Sequence, residues 1–291
     1  MSACSVRKDT WVISPSQLPA LLRAHHIGVS APEVLLELPE GPIFHLRIAG
    51  GSYALDQWQT ARNLVPTTGL WPVIVNSSGM EGFLFADIQR EDPLPQLIRQ
   101  AQDVHALDVL AKRLHRSSEF VLVKSSEQVS VAVFSATDPS AYLPWIERIR
   151  GVWPDIIDPE DSDPHDFLLP EEFLQIPKGQ EMVTLCLLPI EQSWEVPLCL
   201  QFGGWNECPL PAEHSSVQLS WQQRYGAEIV CMSGDIIECI VTSPPTTQRE
   251  ARTLALEQFA YCSDIVHQGV GSLEELAARL LRNQTWYFWW D

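Results

Sequence analysis

Between Asp155 and Glu172 the chain reads DIIDPEDSDPHDFLLPEE, a stretch with eight acids, three prolines and no base. Like charges at this density repel one another, and each proline removes a backbone donor and obstructs a helical turn. No packed element is expected to run through it, so it reads as an exposed linker or surface loop. Two sharper readings stand beside that one: an acidic lure for a basic partner, and a carboxylate metal site. The second is weak, because Asp158, Asp161 and Asp163 lack the glycine and closing glutamate of a calcium loop. The stretch divides the chain into an N-terminal α+β domain (1–152), an acidic proline-rich linker or loop (153–180) and a C-terminal α+β domain (181–291).

The charge follows that division. Of the formal net charge of −18, residues 1–150 hold 15 acids and 13 bases, whereas residues 151–291 hold 22 acids and 6 bases. Nucleic-acid binding needs clustered Lys and Arg to neutralise phosphates, so it is not expected. Docking on an anionic membrane is excluded on the same ground. Disorder is excluded by a 45% hydrophobic composition with 11 Trp. The first residues contain no apolar run of the roughly 7–15 residues a secretory signal needs. No stretch approaches the ~20 apolar residues of a membrane helix. Seven scattered cysteines (Cys4, Cys186, Cys199, Cys208, Cys231, Cys239, Cys262) fit reduced, mostly buried thiols and a cytoplasmic setting.

Periodicity and punctuation give the elements. Ser14-Pro15 opens a helix stopped near Gly28, and 34–38 with 43–48 reads as a hairpin. Residues 53–64 are helical in pattern, 71–75 and 83–88 are strands, and 93–116 carries one long amphipathic helix. Strands at 120–124 and 129–134 and a helix at 142–150 complete this half. In the second half, 183–188 and 196–202 read as strands, and 212–225 as a helix ended by Gly226. Strands 228–232 and 236–242 flank Ser233-Gly234-Asp235. Thr247-x-x-Glu250 and Ser272-x-x-Glu275 open two helices, and 286–290 is an aromatic strand. The fold class expected is α+β, two halves each with a mixed β-sheet packed by helices.

Few chemical constellations stand out. Without a CxxC pair or an HExxH motif, zinc is not expected, and no cofactor is called for. Phosphate-binding loops and the GxSxG elbow are also missing from the sequence. Gln268-Gly269-Val270-Gly271 reads as a tight turn before a helix, with anion binding at its N–H groups the sharper alternative. Cys262, Asp264 and His267 lie close in sequence, but catalytic Cys and His usually meet through the fold. Glu257, Asp264 and His267 could form an acid–base or divalent-metal pocket if they converge with Asp235 or Glu238. Exposed helix acids paired with Arg249 and Arg252 are the plain alternative. Most distinctive are Gly203-Gly204-Trp205-Asn206, where two glycines permit unusual backbone angles, and WYFWWD (286–291), whose five aromatics exceed what one buried face of a strand requires.

GGWNECP (203–209), WQQRYGAEIV (221–230), GDIIE (234–238), Pro244-Pro245, ALEQFAYCSDIVHQG (255–269) and WYFWWD (286–291) together resemble the bacterial family catalogued as domain of unknown function 4253. The resemblance is strong over 195–291, and GLWPV (69–73) is similar to an N-terminal signature of longer members. It implies a shared fold and little chemistry. The family pattern has YCPD and VDQG where this chain has Tyr261-Cys262-Ser263-Asp264 and Val266-His267-Gln268-Gly269, which speaks against a catalytic role for His267. Residues matching the pattern are Trp205, Asn206, Trp221, Tyr225, Asp235, Glu238, Glu257, Tyr261, Asp264, Gln268 and Asp291, and these form the candidate pocket or interface.

Two functions follow as expectations. One is a non-enzymatic protein-interaction module, immunity- or adaptor-like, whose acidic surface steers a basic protein partner. The other is a hydrolase or metal-dependent enzyme using Asp235, Glu238, Glu257 and Asp264 around Asn206 and Gln268.

Overall fold

The computed structural model describes residues 13–75, 85, 88, 90, 92–116, 121–124, 129–132 and 180–291, with side chains of 114–116 and both short strands at 121–132 left aside. The acidic linker, the expected helix at 142–150, Cys4 and most of the expected strand at 83–88 lie outside the described residues.

Helix α1 (Leu18–Ala24) buries Leu18 and Leu22 and carries a proline in its first turn, where the missing N–H is harmless. Strands β1 (Glu33–Leu38) and β2 (Gly41–Ala49) form the expected hairpin, with a register shift between Val34 and Leu36. Helix α2 (Ser52–Asn63) and the short α3 (Val65–Thr68) lead into β3 (Trp71–Val75), buried at every residue. The indole of Trp58 on α2 donates to the Pro72 carbonyl at 2.9 Å and packs edge-on against Trp71, so GLWPV is read by a tryptophan from the preceding helix.

The single helix expected over 93–116 is two helices, α4 (Leu94–Asp103) and α5 (Ala106–Arg116), because Val104 adopts an extended backbone. The apolar stripe crosses the break, which is why periodicity alone did not reveal it. Strands β4 (Val121–Lys124) and β5 (Val129–Ala132) pair with each other.

Beyond the linker, β6 (Met182–Leu188) is followed by a 3₁₀ turn (Ser193–Glu195) and a short helix, α6 (Val196–Leu200). The strand expected at 196–202 is therefore corrected to a helix. Glu195 caps its entry by accepting from the Glu191 and Gln192 N–H groups, and Pro197 occupies the first turn. An apolar run of five fully buried residues has no period to tell helix from strand. Helix α7 (Pro211–Tyr225) stops at Gly226 in the left-handed region, where a Cβ would sit 1.9 Å from Thr242 Oγ1. Strands β7 (Ala227–Met232) and β8 (Ile236–Val241), helix α8 (Gln248–Tyr261), a π-helix (Ile265–Val270), α9 (Leu273–Leu280) and β9 (Thr285–Trp289) complete the order. The Thr247 and Ser272 hydroxyls each accept the N–H three residues on, as their capping motifs require. The glycine-bearing turn expected at 268–271 is instead largely the π-helix.

Seven strands form one sheet in the order β1-β2-β6-β3-β7-β8-β9, antiparallel throughout except between β3 and β7. The α+β class holds. The expected sheet in each half does not: β6 lies between β2 and β3, so the main sheet draws strands from both sides of the acidic stretch. Arg62 of α2 reinforces the join, pairing with Glu228 of β7 (Nε–Oε2 3.0 Å) and lying over the Trp71 ring. No helix among the described residues is long and apolar enough to cross a membrane.

Candidate functional site

The sheet ends at β9, and the alternation of an antiparallel ladder decides which backbone groups remain free there. Trp290 N–H donates to the Asp235 carbonyl and Val241 N–H to that of Gln284, so the even-numbered residues 284 to 290 exchange hydrogen bonds with β8. Residues 285, 287 and 289 therefore turn their N–H and C=O groups outward. The Trp289 carbonyl confirms this by accepting from the Cys262 thiol at 2.9 Å, and Thr285 N–H is taken by Asn283 Oδ1 at 3.0 Å. Tyr287 keeps both its groups on the open edge. Among the described residues no strand pairs with that side.

A cleft of about 350 Å³ lies against this edge, bounded by the end of α8, the π-helix, α9 and β9. Its polar lining includes Asp264, Gln268, Arg279 and Asn283, and its apolar lining includes Leu276, Leu280, Trp286 and Trp289. At one end the Gln268 amide lies between two carboxylates, 3.5 Å from Asp264 Oδ1 and 3.4 Å from Asp291 Oδ2. Asp264 Oδ2 also accepts the Asp291 N–H at 3.2 Å, and Asn206 donates to the main-chain oxygen of Asp291 at 2.8 Å.

Behind the strand is a buried polar seam. Glu257, almost wholly buried, accepts from the Trp221 indole at 2.9 Å and from Arg224 at 2.8 and 3.0 Å. Arg224 also donates to the Tyr225 hydroxyl and stacks over its ring. The Tyr261 hydroxyl meets His214 Nδ1 at 2.5 Å and accepts from Gln218 at 3.3 Å, while Cys208 Sγ lies 3.3 Å from His214 Nε2. Rings of Trp221, Tyr261, Trp286, Phe288 and Trp290 pack around these groups, with Trp221 stacked on Phe288 at 5.4 Å.

Residues 184–291 match the family model described as domain of unknown function (DUF4253). This segment is a DUF4253 domain. No curated protein and no solved structure matches the chain. The domain's boundary falls inside β6, so β1, β2 and β3, which share its sheet, come from outside it.

Within the DUF4253 domain ten of the eleven motif residues separate into three groups, and Trp205 stands apart. Asn206, Asp264, Gln268 and Asp291 converge beside the cleft. Trp221, Tyr225, Glu257 and Tyr261 form the buried seam. Asp235 and Glu238 stand on β8: Asp235 accepts from the Trp289 indole at 3.0 Å and from Ser233 at 2.7 Å, and Glu238, fully buried, is the register partner of Tyr287 and of Cys231. Trp205 packs edge-on against Phe202. The four carboxylates Asp235, Glu238, Glu257 and Asp264 thus do not meet in one pocket, and of them the cleft takes only Asp264. Cys262 and His267 are not paired either. The Cys262 thiol, pushed up to about 12 by burial, points at Trp289, while His267 packs on Phe259.

Sequence reasoning passed over Gln258, Arg279, Asn283 and the individual place of Trp286 in the cleft. The available signal was spacing: Gln258 adjoins Glu257 on α8, and Trp286 opens the closing aromatic run. It also missed Arg113, which reaches from α5 to the Glu207, Ala260 and Tyr261 carbonyls and so braces the domain from the N-terminal side.

His214 yields a pH prediction. Burial first, and the nearby Arg113 charge second, hold its pKa well below the ordinary 6.5. The unfolded chain then binds a proton that the folded one refuses, so stability is full above about pH 6.5 and falls as pH drops below it. The urea midpoint of the whole chain is expected to decline from about pH 6.5 to pH 5, before ordinary carboxylates titrate. His214→Gln, less stable at about pH 8, is expected to lack that slope; an equal slope in both proteins would refute the assignment.

Proposed function

We propose that the DUF4253 domain is a non-enzymatic protein-interaction module that takes an extended, basic segment of a partner along the open edge of β9. The observation that carries this reading is the outward-facing backbone of Tyr287, which lines the cleft together with Asp264, itself hydrogen-bonded to Asp291. Strand addition supplies affinity through main-chain hydrogen bonds, while adjacent side chains choose the sequence. Asp264 and Asp291 favour Lys or Arg opposite them, and the surplus of acids in 181–291, 14 against 5 bases, favours the same sign of partner.

Selection of random displayed peptides on the immobilised full chain tests this. Enrichment of basic, β-prone segments is expected, with binding weakened by salt as exposed charges are screened. Tyr287→Pro removes the outward N–H while leaving the β8 ladder intact, since proline is tolerated at such positions of an edge strand. It is expected to weaken the selected peptides at least about tenfold, the scale of one or two lost hydrogen bonds. Peptides that bind Tyr287→Pro as well as the parent, or that ignore salt, would overturn the reading.

A further inference from the structure

The open edge of β9 is blocked on both sides of Tyr287 by side chains that imitate a strand. Thr285 N–H, which an added strand would meet with a carbonyl, is held by the carboxamide oxygen of Asn283 at 3.0 Å. That oxygen also accepts from the Thr285 hydroxyl at 3.0 Å, which fixes its place. The Trp289 carbonyl, which an added strand would meet with an N–H, accepts instead from the Cys262 thiol at 2.9 Å. A side-chain acceptor thus stands where a partner's acceptor would come, and a side-chain donor where a partner's donor would come. Burial pushes the Cys262 thiol up to about 12, so it stays protonated and goes on donating at neutral pH.

Together the two blocks limit the length of any added strand. In an antiparallel ladder, residues that exchange both hydrogen bonds recur at every second position. The outward positions of β9 are 285, 287 and 289, so the pairs flanking Tyr287 fall on the two occupied groups. A partner residue opposite Thr285 would bring its carbonyl against the Asn283 oxygen, and one opposite Trp289 would have no acceptor for its N–H. Leaving such a group unmet costs more than a hydrogen bond returns on balance. Residues 285 to 289 span about 13 Å at the usual rise per residue, whereas a typical strand runs about 17–20 Å. One residue pair fits between the blocks, and the antiparallel direction lets a single partner residue meet both Tyr287 groups. Self-pairing with a second copy, centred on Tyr287, would have to join the same two occupied groups, Thr285 N–H and the Trp289 carbonyl.

We infer that Asn283 and Cys262 set the partner's register, so that the DUF4253 domain reads the backbone of a single partner residue, opposite Tyr287, and takes a short extended tip in place of a long strand. This limit rests on the strand addition proposed above and narrows it. Partner residues two positions to either side turn away from the edge, so their backbone is not read and selectivity there falls to side chains.

An N-methyl scan of a basic peptide enriched on the full chain tests the limit, since each methylation removes one backbone N–H. On the parent it is expected to weaken binding at least about tenfold at one residue, the one opposite Tyr287, and no more than about twofold at two residues to either side. Asn283→Ala frees Thr285 N–H, so methylation two residues C-terminal to the first position is expected to become costly, at least about fivefold, the scale of a hydrogen bond. Asn283→Asp keeps the accepting oxygen and is expected to retain the parent's pattern. Cys262→Ala is expected to add the N-terminal position instead, and the two Asn283 variants decide the matter if loss of the buried thiol impairs folding. The limit is overturned if methylation on the parent costs as much two residues away as at the first position, or if Asn283→Ala keeps the parent's pattern, while Tyr287→Pro still weakens the peptide and leaves strand addition standing. A selection that enriches no basic segment, or a peptide indifferent to Tyr287→Pro, overturns strand addition and the limit with it.

Discussion

Trp221→Ala is expected to be the most damaging single truncation in the DUF4253 domain, lowering unfolding free energy by about 4 kcal/mol or more. Truncating a fully buried tryptophan typically costs about 3–5 kcal/mol through lost transfer energy and the cavity left behind. Here two further losses add to that. The Trp221 ring is stacked on Phe288 and meets Tyr261 and Trp286 edge-on, and such pairs contribute about 0.5–1.5 kcal/mol beyond area burial. Its indole N–H is also a donor to Glu257, whose carboxylate is almost wholly buried. Arg224 remains to pair that carboxylate, which limits the charge penalty but not the packing loss. Trp221→Phe separates the terms, because it keeps most of the ring and deletes the donor, and a loss of about 1.5–3 kcal/mol is expected, the scale of a hydrogen bond to a charged group. Urea denaturation of the three proteins at neutral pH provides the comparison. If Trp221→Phe were as damaging as Trp221→Ala, the hydrogen bond to Glu257 would dominate and the stacked cluster would count for little.

What the sequence made legible was whatever is decided locally. Gly226 ends α7, Thr247 and Ser272 open α8 and α9, and Ser233-Gly234-Asp235 joins β7 to β8, each through a few adjacent residues whose chemistry is visible in the text. Where the decision is non-local, reading failed. Val196–Leu200 is buried on every side, so it shows no period, and only its packing makes it helical. The place of β6 between β2 and β3 depends on pairings more than a hundred residues apart, which no spacing encodes.

The site shows the same division. The motifs brought the right residues to notice but not their grouping, because proximity in a motif is not proximity in space. Glu257 and Asp264 are seven residues apart, yet one is buried against Trp221 and the other lines the cleft. The acidity also changed meaning. Among the acids of 181–291, Glu195 and Glu250 cap helices, Glu228 and Glu257 pair with arginines, and Asp235 holds the Trp289 indole. Much of the charge is therefore spent on the fold, and Asp264 and Asp291 are what it leaves beside the cleft.

Gly203→Ala is expected to disable the domain from a position outside both the cleft and the strand edge. Gly203 has φ +109°, a backbone region that L side chains rarely adopt, and a Cβ there would lie 1.9 Å from the Pro209 carbonyl oxygen and 2.8 Å from the His214 ring. The carbonyl cannot simply retreat, since it accepts the Gly204 N–H at 2.9 Å and so closes the 203–209 loop. Strained backbone at a non-glycine residue costs about 1–3 kcal/mol before any clash is counted, so a total of at least about 3 kcal/mol is expected. The effect reaches function because the loop aims Asn206, whose amide holds the main-chain oxygen of Asp291, and Asp291 is one of the two acids proposed to read a basic partner. Gly204→Ala is the control: its φ is +90°, but the nearest atom to its Cβ is the flexible Leu210 Cδ2 at 3.3 Å. It is expected to cost about 1–2 kcal/mol, the conformational term with little steric addition. Thermal unfolding of both variants, read beside binding of a selected basic peptide, separates the contributions. A Gly203→Ala protein as stable as Gly204→Ala would mean that the loop yields easily, and that the close approach of Pro209 is not what requires a glycine at this position.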